Sequence, residues 1–199
     1  MTRDTAPGTR RLTEAADLKA LAHPLRMELL RHLVVTGPAT ATELAEAVGD
    51  SPSNCSWHLR KLAEHHFVEE VPDSHGRARP WRAVTIGLSW DDEEDSEAGA
   101  AARELSEALL GREVERLRAS RAAADHQAPE WRRAGSFTQA ATWLTAEEAT
   151  ELSARMTELL LSYSERLEDP RSRPDDARLV SLVGWLAPRP EATDPAQEA

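Results

Sequence analysis

The stretch SPSNCSWHLRKLAEHHFVEE, residues 51–70, decides the fold. Ser51-Pro52 reads as a helix start, with Ser51 as N-cap and Pro52 at the first helical position, where its missing N–H would lack a partner anyway. The spacing predicts a helix running to about Glu64 or His65. At about 100° per residue, Cys55, Leu59, Leu62 and Ala63 fall on one side, suited to packing. Ser53, Trp57, Arg60, Lys61 and Glu64 fall on the other, with Asn54 beside them and His58 at the edge. The period then changes, and Phe67–Val71 suits a strand.

Working back toward the N-terminus, residues 13–22 form an expected helix with Leu18, Leu21 and Ala22 on one face and Thr13 as a candidate N-cap. His23-Pro24 interrupts it, because Pro24 disfavours helix at the residue before it yet suits the first turn of the next helix. Leu25, Leu29, Leu30, Leu33 and Val34 then repeat at helical spacing as far as Gly37-Pro38. Thr40-Ala41-Thr42-Glu43 is a capping box opening a short helix, 41–48, that stops at Gly49. Working forward, Asp73-Ser74-His75-Gly76 reads as a turn and Arg79–Ile86 as a second strand, with Pro80 placing that strand at an edge. Helix, helix, tight turn, helix, hairpin is the order of a winged helix-turn-helix.

A large aromatic at the centre of the exposed face of the 51–65 helix does little for solubility. It suits a helix that enters a DNA major groove. There Trp57 can contact thymine methyls, Asn54 can pair with adenine, and Arg60 and Lys61 can reach guanine or phosphate. Ser51 and Ser53 at the helix start can bond phosphate. Arg77, Arg79 and Arg82 around the hairpin turn supply cations of the kind that grip backbone or minor groove. The formal net charge of −11 argues against this only until it is divided. Residues 1–90 hold eleven basic and eleven acidic groups, so the whole acidic excess lies beyond them.

Beyond residue 90, the run Asp91-Asp92-Glu93-Glu94-Asp95 reads as a solvated linker. Good helix formers fill Ser96 to Ala124, Gln127–Gly135 looks like a loop, and Ser136–Leu144 is a strand candidate. Thr145-Ala146-Glu147-Glu148 is a second capping box. It opens an amphipathic helix with Ala149, Leu152, Met156, Leu159, Leu160, Tyr163 and Leu167 on one side, ended by Asp169-Pro170. Arg178–Leu186 is strand-like, and the tail beyond Pro188 has a disordered composition. The expected fold is therefore mainly α with a small β-hairpin wing. Residues 1–90 form a winged helix-turn-helix, 91–95 a linker, 96–188 a C-terminal helical α+β domain for dimerisation or effector binding, and 189–199 a tail.

The pieces LKALAHPLRMELLRHL, TATELAEAVGDSPSNCSWHLRKLAEHHFVEE and GRARPW, over roughly residues 18–82, resemble the ArsR-type winged-helix regulators, in the branch without metal-binding cysteines. Ser56, His58, Leu59 and Leu62 match that family's pattern before an apolar strand, and the general plan beyond residue 90 resembles that of actinobacterial relatives. The resemblance implies a homodimeric repressor on a near-palindromic double-stranded DNA operator, with a signal, such as a small-molecule effector, that alters its affinity. It also implies DNA-facing roles for Ser53, Asn54, Ser56, Trp57, His58, Arg60 and Lys61.

Blander readings stand beside these. A winged helix can serve as a protein-docking module with no operator. Cys55, small and inward, is better read as core than as a redox switch. A transition metal needs three or four convergent ligands. The chain has no Cys-x-Cys or Cys-x-x-Cys, so no metal or other cofactor is expected, and a metal-responsive repressor built across a dimer is the alternative. Trp131, Phe137, Trp143, Tyr163 and Trp185 are candidates for an effector cavity, although plain core is the commoner fate of such aromatics. No phosphate-binding glycine loop, nucleophile elbow or paired His/carboxylate motif is present, so an enzyme is not expected. No apolar run approaches the roughly 18–20 residues that span a bilayer. With no secretory signal at MTRDTAPGTRR and a single cysteine, the expectation is a cytoplasmic protein.

Overall fold

A computed structural model describes residues 9–72, 79–90 and 95–187. The first helices are α1 (Ala15–Leu21), α2 (Pro24–Thr36), α3 (Ala41–Val48) and α4 (Pro52–Glu64). Their ends follow local chemistry. Glu14, not Thr13, occupies the N-cap of α1 and makes no side-chain cap. The His23 ring caps α2, its Nδ1 accepting from the Leu25 N–H at 3.2 Å. The Thr40/Glu43 capping box opens α3 as expected. Gly49 closes that helix in the left-handed region, at φ 71°, so the chain turns tightly into α4 where a side chain would be strained. Ser51 caps α4, its Oγ accepting from the Asn54 N–H at 3.2 Å.

A Schellman-type reversal closes α4. The Phe67 N–H donates to the Leu62 carbonyl and the His66 N–H to the Ala63 carbonyl, with His66 at φ 58° in the place glycine usually takes. That reversal leads directly into β2 (Val68–Glu70), which pairs antiparallel with β3 (Trp81–Ala83) in the register Val68↔Ala83, Glu69↔Arg82, Glu70↔Trp81. Ala39 bridges to Trp81 from the segment before α3, which anchors the wing to the helices. The strands are shorter than Phe67–Val71 and Arg79–Ile86, and the expected turn at residues 73–76 lies outside the described residues. One pairing is unforeseen: β1 (Thr9–Arg11) runs parallel to β4 (Gly87–Ser89).

The core gathers Leu18 and Leu21 of α1, Leu29, Leu30 and Leu33 of α2, Leu44 of α3, Cys55, Leu59 and Leu62 of α4, and Phe67, Val68 and Trp81 of the wing. It also includes Ala101, Ala102 and Leu105 of α5 (Glu97–Ala122). Small residues at the start of α5 let it lie close on α1, and Lys19 Nζ donates to Glu97 Oε1 at 2.6 Å across that contact. Further along, Arg112 and Arg116 of α5 and Arg31 of α2 converge on the Glu28 carboxylate. Burial works against charge on Glu28, but hydrogen bonding from Arg31 and the three guanidinium charges outweigh it and lower its pKa.

The chain divides into two compact units, and the division differs from a break at the acidic run. The first, Met1–Ser136 with Tyr163–Ala177, holds the winged helix-turn-helix and α5 together. It also contains α6 (Pro129–Ala134) and the short α8 (Glu165–Glu168). Of the expected linker, Asp91–Glu94 lies outside the described residues, as does the tail after 187. The second unit, Phe137–Ser162 with Arg178–Ala199, is built on α7 (Ala146–Leu161), opened by the Thr145/Glu148 capping box. This helix stops at Leu161, short of the expected Leu167. The Ser136–Leu144 and Arg178–Leu186 segments form no ladder: among the described residues the second unit has no strand. The chain passes so close to α7 at Gly184 that a Cβ there would lie 2.7 Å from Met156 Cε. No described helix is long and apolar enough to cross a membrane.

Candidate nucleic-acid interface

The faces of α4 separate as its sequence spacing requires. Cys55, Leu59 and Leu62 are fully buried, while Ser51, Ser53, Asn54, Arg60 and Glu64 are exposed and Trp57 keeps 49 % of its surface open. Ser56 and Lys61 are half-buried. Burial, followed by the charge of Asp50, raises the Cys55 thiol pKa, which keeps it a small apolar core group.

His58 departs from the expectation. It is 5 % exposed, so it faces the interior rather than a groove. The physical reason lies at the cap of α2: the His23 ring sits against it with centroids 4.4 Å apart, covering a position that the wheel alone leaves at the edge. Its Nδ1 is buried with no hydrogen-bond partner, and the Trp57 indole meets its ring edge-on at 4.7 Å. Burial, then the neighbouring His23 and Arg26, lower the His58 pKa, with Asp50 acting the other way. Burial, then Arg26, lower that of His23.

The polar groups around Trp57 are already engaged. Asn54 Nδ2 donates to both Asp50 carboxylate oxygens at 3.1 Å. The bonds from Ser51 and Asn54 lower the Asp50 pKa. Lys61 Nζ pairs with Glu64 at 2.8 Å and lies 5.9 Å from the Trp57 ring centroid. Arg60 Nε donates back to the Ser56 carbonyl at 3.2 Å. On the wing, Arg79 pairs with Glu70 at 3.0 Å and Arg82 with Glu69 at 2.6 Å, both exposed. Arg77 lies outside the described residues. Such exposed pairs contribute about 0–1 kcal/mol each, so an incoming phosphate can replace the carboxylate at little cost.

Sequence reasoning missed His23, Asp50, Glu69 and Glu70 as neighbours of this face. The signals were present: His23-Pro24 has the form of a cap followed by a first-turn proline, and Glu69-Glu70 lie opposite Trp81-Arg82 in the hairpin.

The effector candidates do not form a core in the single chain. In the second unit Phe137, Trp143 and Trp185 are 72 %, 63 % and 64 % exposed. In the first, Tyr163 is exposed, with Arg166 over its ring, and Trp131 is half-buried. Among the described residues no three His, Cys, Asp or Glu side chains gather as metal ligands.

A family model described as a helix-turn-helix domain matches residues 21–71, the span from the end of α1 to the end of β2. No curated protein matches the chain. The match and the geometry agree on a helix-turn-helix domain of the kind carried by DNA-binding transcription regulators.

Proposed function

We infer that the protein is a sequence-specific transcriptional repressor that acts as a homodimer, each α4 entering one major groove of a near-palindromic operator. The observation that carries this reading is the outward face of α4, where a half-open Trp57 stands between Asn54 and the Arg60/Lys61 cations on a helix whose other side buries Cys55, Leu59 and Leu62. Side chains of this kind read base edges, and the wing arginines Arg79 and Arg82 would hold the backbone. Two-fold symmetry sets the half-sites about one helical turn apart, roughly 34–36 Å. The dimer seam falls on α5, whose Leu110 and Leu117 are exposed and share a face seven residues apart. An effector acting on the second unit would weaken the operator only as far as it binds the DNA-incompetent state better.

One observation favours a second reading, a protein-docking winged helix: Lys61, Arg79 and Arg82 all have carboxylate partners within the chain, so the face is nearly neutral. Selecting bound fragments from random double-stranded DNA separates the two. A repressor enriches a two-fold symmetric sequence; a docking module enriches none.

A further inference from the structure

Two histidines meet where α2 crosses α4, and both are held in surroundings that disfavour an added proton. His23 uses its Nδ1 lone pair to cap α2, accepting from the Leu25 N–H at 3.2 Å. Protonation would remove that acceptor and place a cation at a helix N-terminus, where the dipole disfavours it. His58 is almost wholly buried, and its Nδ1 has no partner to receive a proton's charge. The rings touch each other, and the second meets the Trp57 indole edge-on, so a line of ring contacts runs from the cap of α2 to the exposed face of α4.

We propose that His58 is a positioning residue for Trp57, and that the His23–His58 pair forms a proton-sensitive seat for α4, releasing the reading face on acidification. The proposal rests on the repressor reading for its effect on DNA, though the seat itself is a property of the folded chain.

The charged groups facing the pair set the sign. Arg26 of α2 opposes a proton on either ring, and each histidine opposes one on the other. Asp50, in the turn before α4, favours a proton on His58, but it is already engaged by the Ser51 N–H and the Asn54 amide. Lys61, on α4 itself, lies 5.9 Å from the Trp57 ring centroid. Both histidine pKa values lie below their ordinary level in the seated state. The seat is therefore intact above about pH 6.5, the ordinary histidine pKa, and is lost as pH falls from there toward the lowered values. For a proton that seating excludes completely, the weight of the seated state falls by about tenfold between pH 7.5 and 5.5, which is the upper limit for one histidine.

The test compares the full chain with His58→Phe, which keeps a ring without a titrating nitrogen, and His23→Asn, which keeps a capping acceptor, singly and together. Urea stability and the dissociation constant for the DNA fragment the chain enriches are measured at pH 5.5 and 7.5. His65, paired with Asp17, is present in every variant and cancels in the comparison. The wild-type chain should lose stability and bind DNA about three- to tenfold more weakly at pH 5.5 than at 7.5, and the double variant should show a clearly smaller change in both. Equal pH dependence in wild type and double variant overturns the proposal, as does none in either. If no DNA is enriched, the repressor reading fails and the stability profiles alone decide the seat. If His58→Phe does not fold, the wild-type NMR titration decides instead. A His58 midpoint at or above about 6.5 overturns the seat, and one well below supports it.

Discussion

Replacing Trp57 by alanine and Cys55 by arginine should damage the protein in opposite ways, although the two positions are separated by one residue on α4. Trp57 is 49 % exposed, so folding covers about half of a side chain that can bury roughly 200–250 Å2. At about 25 cal/mol per Å2 that is a ceiling of roughly 3 kcal/mol. The unfolded chain already covers part of the ring and alanine retains its methyl, which leaves about 1–2 kcal/mol of stability lost. The domain should stay folded at room temperature while specific DNA binding weakens by a further 1–3 kcal/mol or about that. Cys55 is completely buried among Leu59, Leu62 and the helices beneath. A guanidinium there has no partner and no room, and the loss should exceed about 4 kcal/mol. Urea melts of the two variants, with DNA titrations under conditions where Trp57→Ala is folded, read out the difference. If Trp57→Ala unfolds the protein while Cys55→Arg melts normally and only binds poorly, α4 is rotated from the orientation described and its reading face is misassigned.

Other substitutions test the supports of that helix. Thr40→Ala removes the capping box of α3 and should cost about 1 kcal/mol, lowering the melting temperature by about 2–4 °C; an unchanged melt would show that the box contributes nothing. Glu28→Ala leaves Arg31, Arg112 and Arg116 crowded around an empty position and should cost about 1–3 kcal/mol. Because the Glu28 pKa is lowered on folding, its contribution is present above about pH 4.3 and fades as pH falls below that. The variant should therefore lose stability less steeply than wild type in that acid range, and an identical acid profile would count against the cluster. Arg79→Ala should weaken binding to all DNA sequences and make the salt dependence shallower by about one unit per lost contact. A change confined to one sequence would instead make Arg79 a base reader.

The local chemistry of this chain was readable from the sequence, and its non-local packing was not. The faces of α4 follow from the spacing of Cys55, Leu59 and Leu62, and the helix starts follow from Thr40, Ser51 and Thr145, because each depends on residues within a turn or two. His58 sits at the margin of the buried face, and only the crossing of α2 puts His23 over it. The docking of α5 on α1 was hidden because Ala101 and Ala102 are weakly hydrophobic by themselves; their value is the close approach they allow. The parallel pairing of Thr9–Arg11 with Gly87–Ser89 joins segments at opposite ends of the domain, which no local pattern announces. Arg178–Leu186 shows the converse: an apolar run suited to a strand stays outside any sheet, because strand propensity needs a neighbouring strand to pair with.

The most direct test of the central claim is a methylation-interference footprint of the full chain on the DNA it selects. Methylation of guanine N7 marks the major groove, the place where α4 must lie if Trp57, Asn54 and Arg60 read bases. Two clusters of interference are expected, centred about 10–10.5 base pairs apart and related by two-fold symmetry, with the signal weakened at the same positions by Trp57→Ala. Interference that is absent from the major groove, or present but indifferent to Trp57, would contradict the central claim.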